Sequence, residues 1–200
     1  MESPSLILRG GCVAQTGSTH AERLDIVIGA DGRIKQLALD VPSTAGVEEI
    51  DLRGKLVTPG LVDAHQHLDK TRTRTTVLNP GGTLVGAIEA FAEYSARMTR
   101  DDILTRAERT INACVERGTT AMRSHANVEP ELGCSGVEAL VELRERCRGR
   151  INLQVVAFLT AGALSAPALG ELEDSIAAGA NVVGEAPALA DDPEAFLDTL

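Results

Sequence analysis

Two histidines that lie two positions apart are the residues of this sequence best suited to chemistry. His65 and His67 belong to the run VDAHQHLDK at 62–70, which follows an apolar stretch and has the pattern of a β-strand. Side chains two apart on a strand point to one face, so both imidazoles can meet one ion, and Asp63 shares that face. Neutral imidazole suits zinc and iron. The pair predicts one divalent metal ion, although a coincidental pair on a half-exposed strand would show the same spacing.

A metal ion at such a pair would point to hydrolysis. Binding to a divalent ion lowers the pKa of water from about 16 toward about 7, which supplies hydroxide at neutral pH. Attack on a C=N or amide carbon then requires a carboxylate that delivers a proton to the departing nitrogen. Catalytic zinc sites usually have three protein ligands and one open position, so His65 and His67 provide only the beginning of this machinery.

The elements that must position the pair alternate along the chain after residue 55. Apolar strand-like runs alternate with amphipathic helical runs, which is typical of βα units around a parallel sheet. The strand-like runs lie at 56–68, 119–128, 151–160 and 181–187. The helical runs lie at about 84–98 and 101–117, before Gly149, before Gly179 and from Asp191 onward. These four βα units are half of an eight-fold barrel, and the alternative is an open four-stranded sheet. No glycine-rich nucleotide-binding motif follows any of the strands.

Residues 1–55 have a different texture. Short β-like runs are separated by turn signals, of which Asp31-Gly32 is suited to a tight hairpin. This segment is predicted to form a small β-rich module without chemistry of its own. His20 lies in a polar loop of this segment and is expected to be a solvated bystander.

Composition excludes several other classes of protein. The formal net charge is -10, from 19 Lys+Arg and 29 Asp+Glu, with no basic patch, so we expect no nucleic-acid or membrane partner. The four cysteines lack C-x-x-C spacing and are expected to be reduced thiols of a cytoplasmic protein. No apolar stretch is long enough for a secretory signal or a membrane span. A small-molecule substrate is the expected partner.

The sequence resembles a known family over nearly all of its length from Leu56. LVTPGLVDAHQHLDKTRT resembles the first barrel strand of the amidohydrolase superfamily, and within it the cytosine deaminase-like branch. Further runs match that branch in order and spacing: GGTLVGAIEAFAEYSARMTRDDILTRA, RSHANV, LQVVAF and ANVVGEAP. The resemblance implies an α/β fold of (β/α)8 TIM-barrel type. Residues 56–200 would form the first half of this barrel, about four βα units, and residues 1–55 the N-terminal part of an accessory β domain.

The same resemblance implies a metal-dependent, deaminase-like hydrolase with one catalytic zinc or iron ion. His65 and His67 would be its first two ligands. The family takes further histidines from the fifth and sixth strands, an aspartate from the eighth and a proton-transferring glutamate after the fifth. These catalytic residues are expected beyond Leu200, so the isolated chain is expected to be inactive. Many members bridge two metals with a strand-four lysine, but 181–187 holds none, which leaves Glu185 as the one carboxylate that could substitute.

Three residues are expected to bind substrate. His125 lies near the end of the second barrel strand, where a hydrogen-bonded core histidine is the alternative. Asp69 lies in the loop after the metal strand, where it could orient substrate or order the loop, and a merely solvated carboxylate is the alternative. Thr160 stands where similar cytosine deaminases have a glutamine, and its hydroxyl cannot offer the paired donor and acceptor of a carboxamide. We therefore expect another N-heterocycle, an amide or an amidine, with cytosine doubtful.

Two further residues and two further interpretations stay open. Ala126 and Asn127 replace the valine and aspartate that usually follow the histidine in that branch, which removes a negative charge. The 200-residue chain could also be a truncated, non-catalytic fragment or binding module. A homo-oligomer is also compatible with the sequence, but two paired half-barrels would duplicate the histidines without supplying the missing acid.

Overall fold

The chain separates into two compact units, Met1–Pro59 and Gly60–Leu200. The computed structural model describes residues 4–15, 17–128, 133–159 and 166–186. The helix predicted from Asp191 lies outside the described residues.

The first unit is a β-sheet, as its alternating apolar runs predict. Its described strands are β1 (Pro4–Ala14), β2 (Ala21–Gly29), β3 (Ile34–Ala38), β4 (Glu48–Asp51) and β5 (Leu56–Val57). The order is β3-β2-β1-β4, and β5 pairs with β1 beyond β4. β2 runs antiparallel to β1 and β3, whereas β4 and β5 run parallel to β1. The predicted hairpin turn is confirmed: Gly32 has a φ of 72°, and its N–H donates to the carbonyl of Gly29.

The second unit is a parallel sheet with helical connections. Its described strands are β6 (Leu61–Gln66), β7 (Thr119–Val128), β8 (Asn152–Leu159) and β9 (Val182–Glu185), in the order β6-β7-β8-β9. All three pairings are parallel. The connections hold a short 3-10 helix (Leu68–Lys70), α1 (Leu84–Ser95), α2 (Arg100–Val115), α3 (Ser135–Arg146) and α4 (Ala166–Ala177). The predicted βα alternation is confirmed within the described residues.

The helix bounded by the clearest sequence signals is α2. The Thr99 hydroxyl accepts a hydrogen bond from the N–H of Asp102 at 3.2 Å, and Gly118, with a φ of 92°, lies just beyond the last turn. Ile103, Ala107 and Ile111 recur at helical spacing and are fully buried in the core between helices and sheet. None of the helices in the part of the chain that the structure describes is long and apolar enough to cross a membrane.

Two elements differ from the sequence-based prediction. The apolar run 56–68 forms two strands instead of one, because Pro59 lacks an N–H for a sheet ladder and Gly60 lies against Thr120, where a Cβ would come within 2.3 Å. α1 ends at Ser95 instead of near residue 98, and of its apolar residues at helical spacing only Phe91 is buried, whereas Leu84 and Ile88 are 66% and 42% exposed. Those two side chains border a cavity described below.

Candidate metal centre and its surroundings

The predicted histidine pair is brought together at the end of β6. The Nε2 atoms of His65 and His67 lie 3.3 Å apart, and the ring centroids lie 5.2 Å apart. Two nitrogens bound to one tetrahedral zinc ion at about 2.0–2.1 Å would be separated by about 3.3 Å. The spacing therefore fits two ligands of one ion, and without an ion it also allows an N–H···N hydrogen bond.

Local hydrogen bonds hold the backbone that carries the pair. The N–H of His65 donates to Asp63 Oδ1 at 3.2 Å, and the N–H of His67 donates to Gln66 Oε1 at 2.9 Å. One residue further, the N–H of Leu68 donates to the buried hydroxyl of Ser124 on β7 at 3.0 Å. The end of β6 is thus fastened to its neighbouring strand.

His125 joins the pair from β7. Its ring stacks on that of His65 with centroids 4.3 Å apart and lies 5.4 Å from the ring of His67. The Nδ1 atom of His125 is buried and has no hydrogen-bond partner among the residues that the structure describes. Three imidazoles thus cluster at the carboxyl ends of β6 and β7, and substrate binding by His125 stays a prediction.

Asp69 forms the centre of a clamp that sequence reasoning missed. Its carboxylate is fully buried, where Oδ1 accepts the N–H of Lys70 at 2.9 Å and Oδ2 accepts the N–H of Asn127 at 3.0 Å. Lys70 Nζ donates to Asp69 Oδ2 at 2.9 Å and to Asn127 Oδ1 at 2.6 Å, and it lies 3.3 Å from Nδ1 of His67. Asp69 therefore contacts protein groups that position the site, and its predicted contact with substrate stays a prediction.

Two imidazoles of this cluster, those of His67 and His125, have pKa values below the usual value of a histidine. Burial lowers the pKa of His67 to about 4; the Lys70 ammonium adds to this effect and the Asp69 carboxylate opposes it. Burial also lowers the pKa of His125, with a further contribution from His65. A neutral imidazole at pH 7 offers the lone pair that metal binding requires.

A largely apolar cavity of about 550 Å³ lies beside His67. Helix α1 contributes much of its wall, through Leu84, Ala87, Ile88, Phe91 and Ala92. Its other described lining residues are His67, Lys70, Arg72, Thr73, Arg74, Val77, Asn79, Asn127, Phe158 and Ala186. Such a cavity next to convergent polar groups is the usual form of a small-molecule site.

β9 approaches this site closely but does not contribute its carboxylate. A Cβ on Gly184 would come within 2.8 Å of Val156 and 3.2 Å of Phe158, and near the His125 ring. Since side chains alternate along a strand, Glu185 points to the opposite face with its partner Leu159. Its Oε2 is buried and has no hydrogen-bond partner within the described part of the chain. The suggested bridging role of Glu185 does not fit this placement.

Two observations bear on how many predicted site residues the structure describes. Thr160 lies outside the described residues, so its proposed contact with substrate has no structural description. Among residues 4–15, 17–128, 133–159 and 166–186, no group of three or more His, Cys, Asp or Glu side chains is arranged to hold a metal ion. Within the described part of the chain, the candidate metal centre therefore rests on His65, in β6, and on His67, directly after that strand.

Comparison with known proteins identifies relatives of this fold and site. A family model described as amidohydrolase family matches residues 48–129. N-isopropylammelide isopropyl amidohydrolase of Pseudomonas sp. (strain ADP) is 33% identical over 162 residues, which are 78% of this chain and 39% of that protein. The crystal structure of N-isopropylammelide isopropylaminohydrolase from Burkholderia multivorans matches with a TM-score of 0.79 and 29% identity, over 98% of this chain and 48% of that one. That of 5-methylcytosine deaminase from Klebsiella pneumoniae, liganded with 5-fluorocytosine, matches with a TM-score of 0.78 and 27% identity, over 96% and 46%.

The fold and these matches show that the chain belongs to the amidohydrolase superfamily. Its likeness to the cytosine deaminase-like branch, expected from the sequence, is confirmed. The α/β class is confirmed as well, with part of a TIM-type barrel and a small β unit. The chain spans less than half the length of the relatives it matches.

Proposed function

We propose that this chain contributes the metal-binding part of an enzyme that hydrolyses a non-peptide carbon-nitrogen bond of an N-heterocycle, an amide or an amidine. The observation that carries the proposal is the 3.3 Å separation of the two Nε2 atoms of His65 and His67. One zinc or iron ion bound there would supply hydroxide at neutral pH. The whole protein would be a cytoplasmic, deaminase-like hydrolase whose barrel half begins near residue 56.

The residues of this chain have distinct tasks in the proposal. His65 and His67 bind the ion, and Ser124 holds the backbone that presents them. Lys70 and Asp69 fix the loop beside His67, and the apolar cavity binds the substrate away from water. The carboxylate that protonates the departing nitrogen would come from beyond Leu200, as the family resemblance implies.

The substrate class is inferred from the relatives and from the sequence. The names of the relatives refer to N-isopropylammelide and 5-methylcytosine, both N-heterocycles. In this chain Thr160 stands where a glutamine is found in similar cytosine deaminases, so cytosine would bind poorly. His125, Asp69 and Thr160 remain the proposed substrate-binding residues.

The test is release of ammonia or amine from a panel of N-heterocycles, amides and amidines. It uses the 200-residue chain and a chain extended by any coding sequence that follows codon 200, each loaded with zinc or iron. Turnover that a chelator stops, and that His67→Ala removes but His20→Ala does not, is the expected result for the extended chain. Turnover that survives both chelation and His67→Ala would contradict the proposal.

A second candidate is a non-catalytic binding module. It is favoured by the absence, among the described residues, of a third side chain that completes a metal site. Under this alternative neither preparation turns over any substrate, even with one metal ion bound per chain, and that result would exclude the enzymatic proposal.

A further inference from the structure

Lys70 contacts the ring of a proposed metal ligand through the ring nitrogen that does not face His65. Its Nζ atom lies 3.3 Å from Nδ1 of His67, 2.9 Å from Oδ2 of Asp69 and 2.6 Å from Oδ1 of Asn127. An ammonium group has three N–H donors and no acceptor. Since Lys70 can only donate, Nδ1 of His67 must be the acceptor in their contact.

That hydrogen bond decides which nitrogen of His67 carries the ring proton. A neutral imidazole has one N–H group and one lone pair. Because Nδ1 accepts from Lys70, the proton lies on Nε2, which is 3.3 Å from Nε2 of His65. His67 can then donate this proton to the lone pair of His65. The contacts of both nitrogens of His67 are thus satisfied by one assignment of its proton.

A bound metal ion requires the opposite assignment. An ion held by Nε2 of His67 uses the lone pair of that nitrogen, so the ring proton has to lie on Nδ1. Histidines that bind metal almost always donate this second N–H to a carboxylate, a carbonyl group or water. In this structure the group beside Nδ1 is the ammonium of Lys70, and two donors would face each other. Lys70 therefore has to leave Nδ1 when the ion binds.

The other contacts of Lys70 allow this withdrawal. The ion pair with the buried carboxylate of Asp69 and the hydrogen bond to Asn127 do not involve His67. The ammonium also lies 5.1 Å from the centre of the Phe91 ring, which is within the range of cation–π attraction. Withdrawal thus loses one of three hydrogen bonds and leaves the ammonium with partners.

We infer that Lys70 is a positioning residue that opposes metal binding: it keeps the proton of His67 on Nε2, and an ion binds only when the ammonium withdraws toward Asp69 and Asn127. One ring proton changes its place, while the charges of His67 and Lys70 stay the same. The inference rests on the proposed role of His67 as a metal ligand. By reciprocity, a bound ion weakens the contact between Lys70 and His67 as much as that contact weakens binding of the ion.

The first experiment is a cobalt(II) titration of the 200-residue chain at pH 7 and about 0.15 M salt, where exposed charges are largely screened. Lys70→Gln replaces the ammonium by a carboxamide whose oxygen can accept the N–H at Nδ1, so binding should be tighter by about tenfold. Lys70→Met removes the donor without supplying an acceptor and should give a smaller gain. Arg72→Gln is the matched control, because it removes the same charge from the same loop, but Arg72 donates to Thr110 instead of His67. It should change the affinity by less than about twofold.

The second experiment follows the ring proton itself and needs no metal ion. Long-range ¹H–¹⁵N spectra of histidine side chains distinguish a proton on Nδ1 from one on Nε2, and His67→Ala assigns the signals. In the unmodified chain with a chelator present, His67 should carry its proton on Nε2. In Lys70→Gln, a proton on Nδ1 should become detectable. A purely structural role of Lys70 would leave the place of this proton unchanged.

Far-UV circular dichroism checks the fold of each variant, because Lys70→Gln leaves the buried carboxylate of Asp69 without its cation. If that variant does not fold, the spectrum of the unmodified chain and the affinity of Lys70→Met decide.

A proton on Nδ1 of His67 in the unmodified, metal-free chain would overturn the inference. An equal gain in Arg72→Gln and Lys70→Gln would do the same, because it would assign the effect to charge alone. If the unmodified chain and Lys70→Gln bind cobalt(II) equally well, the inference fails and the proposed metal centre stands. If neither binds it, both the inference and the proposed metal centre are contradicted.

Discussion

Two buried aspartates, one in each unit, accept nearly the same set of hydrogen bonds but lie in different surroundings. Asp25 accepts the N–H groups of Gly10 at 2.8 Å and Val41 at 3.0 Å and pairs with Arg9 at 2.8 Å. Asp69 likewise accepts two backbone N–H groups and one cationic side chain, Lys70. Each carboxylate fastens chain segments that are distant in sequence.

The difference lies in what the cation contacts next. Arg9 also donates hydrogen bonds to Glu49 and Ser43, so its remaining N–H groups bind within the same polar cluster. Lys70 goes on to Asn127 and to the ring of His67, on the wall of an open cavity. The comparison teaches that one arrangement of hydrogen bonds is purely structural in the first unit, whereas in the second unit it holds a cation beside the ring of a candidate metal ligand.

The largest expected effect is that of Asp69→Ala. It leaves the buried N–H of Asn127 and the partly buried N–H of Lys70 without an acceptor and removes the charged partner of the Lys70 ammonium, so we expect the free energy of unfolding to fall by about 4 kcal/mol. Urea unfolding followed by the fluorescence of Tyr94 measures this, since Tyr94 is the single tyrosine and there is no tryptophan. Cobalt(II) affinity should also fall about tenfold, because the charge of the Lys70 ammonium beside His67 would no longer be balanced by Asp69. An unchanged affinity in the folded variant would refute this role of Asp69.

The matching change in the first unit is Asp25→Ala. Loss of its three hydrogen bonds should destabilise the sheet by about 3 kcal/mol and speed amide exchange at Gly10 and Val41. Glu49→Ala, which removes only the more exposed partner of Arg9, should have a much smaller effect. Cobalt(II) affinity should stay unchanged in both variants, and a loss like that of Asp69→Ala would erase the contrast between the two aspartates.

The stability of the hydrogen-bonded cluster around Asp25 should depend on pH. Burial opposes ionisation, but hydrogen bonds from Gly10, Arg9 and Val41 outweigh it, so the pKa of Asp25 lies below its usual value of 3.8. The folded state then binds fewer protons than the unfolded state, so this stabilisation is complete above about pH 4 and is lost as pH falls through the lowered pKa. Amide exchange at Gly10 and Val41 should accelerate below pH 4, after correction for the intrinsic rate, and Asp25→Asn should abolish that pH dependence. If amide exchange in Asp25→Asn accelerated below pH 4 as much as in the unmodified chain, another group would be responsible for the pH dependence.

The smallest expected effect concerns Asn127. Asn127→Ala removes one acceptor of Lys70 and should cost about 1 kcal/mol of unfolding free energy. Asn127→Asp keeps an acceptor for Lys70, so we expect a smaller loss of unfolding free energy than in Asn127→Ala. Urea unfolding monitored by Tyr94 compares the two. A larger loss in Asn127→Asp than in Asn127→Ala would show that the clamp does not tolerate a second carboxylate.

Much of the fold could be predicted because it follows from local patterns. β7 occupies residues 119–128 as its apolar run indicated, and Thr99 begins α2 as a capping residue. The run 56–68 was wrong as a single strand because hydrophobicity continues across Pro59, where a sheet ladder cannot. The exposure of Leu84 and Ile88 on α1 could not be predicted, because helical periodicity does not say whether a protein core or a cavity lies opposite an apolar face.

The candidate site was likewise predictable only in part. The convergence of His65 and His67 follows from the period of a strand and was predictable. The contact of Asp69 with Asn127 joins residues 58 positions apart, and no local pattern indicates it. Lys70, three residues after His67, was the available signal, but a charged loop residue is usually solvated, so only the tertiary structure shows the clamp.

Cobalt(II) binding tests the central claim most directly. Titration of the 200-residue chain at pH 7, followed by its visible absorption, should show one ion per chain. His65→Ala and His67→Ala should each weaken binding by about tenfold or more, whereas His20→Ala should leave it unchanged. Binding that survives in both His65→Ala and His67→Ala, or that His20→Ala weakens equally, would contradict a metal centre at the end of β6.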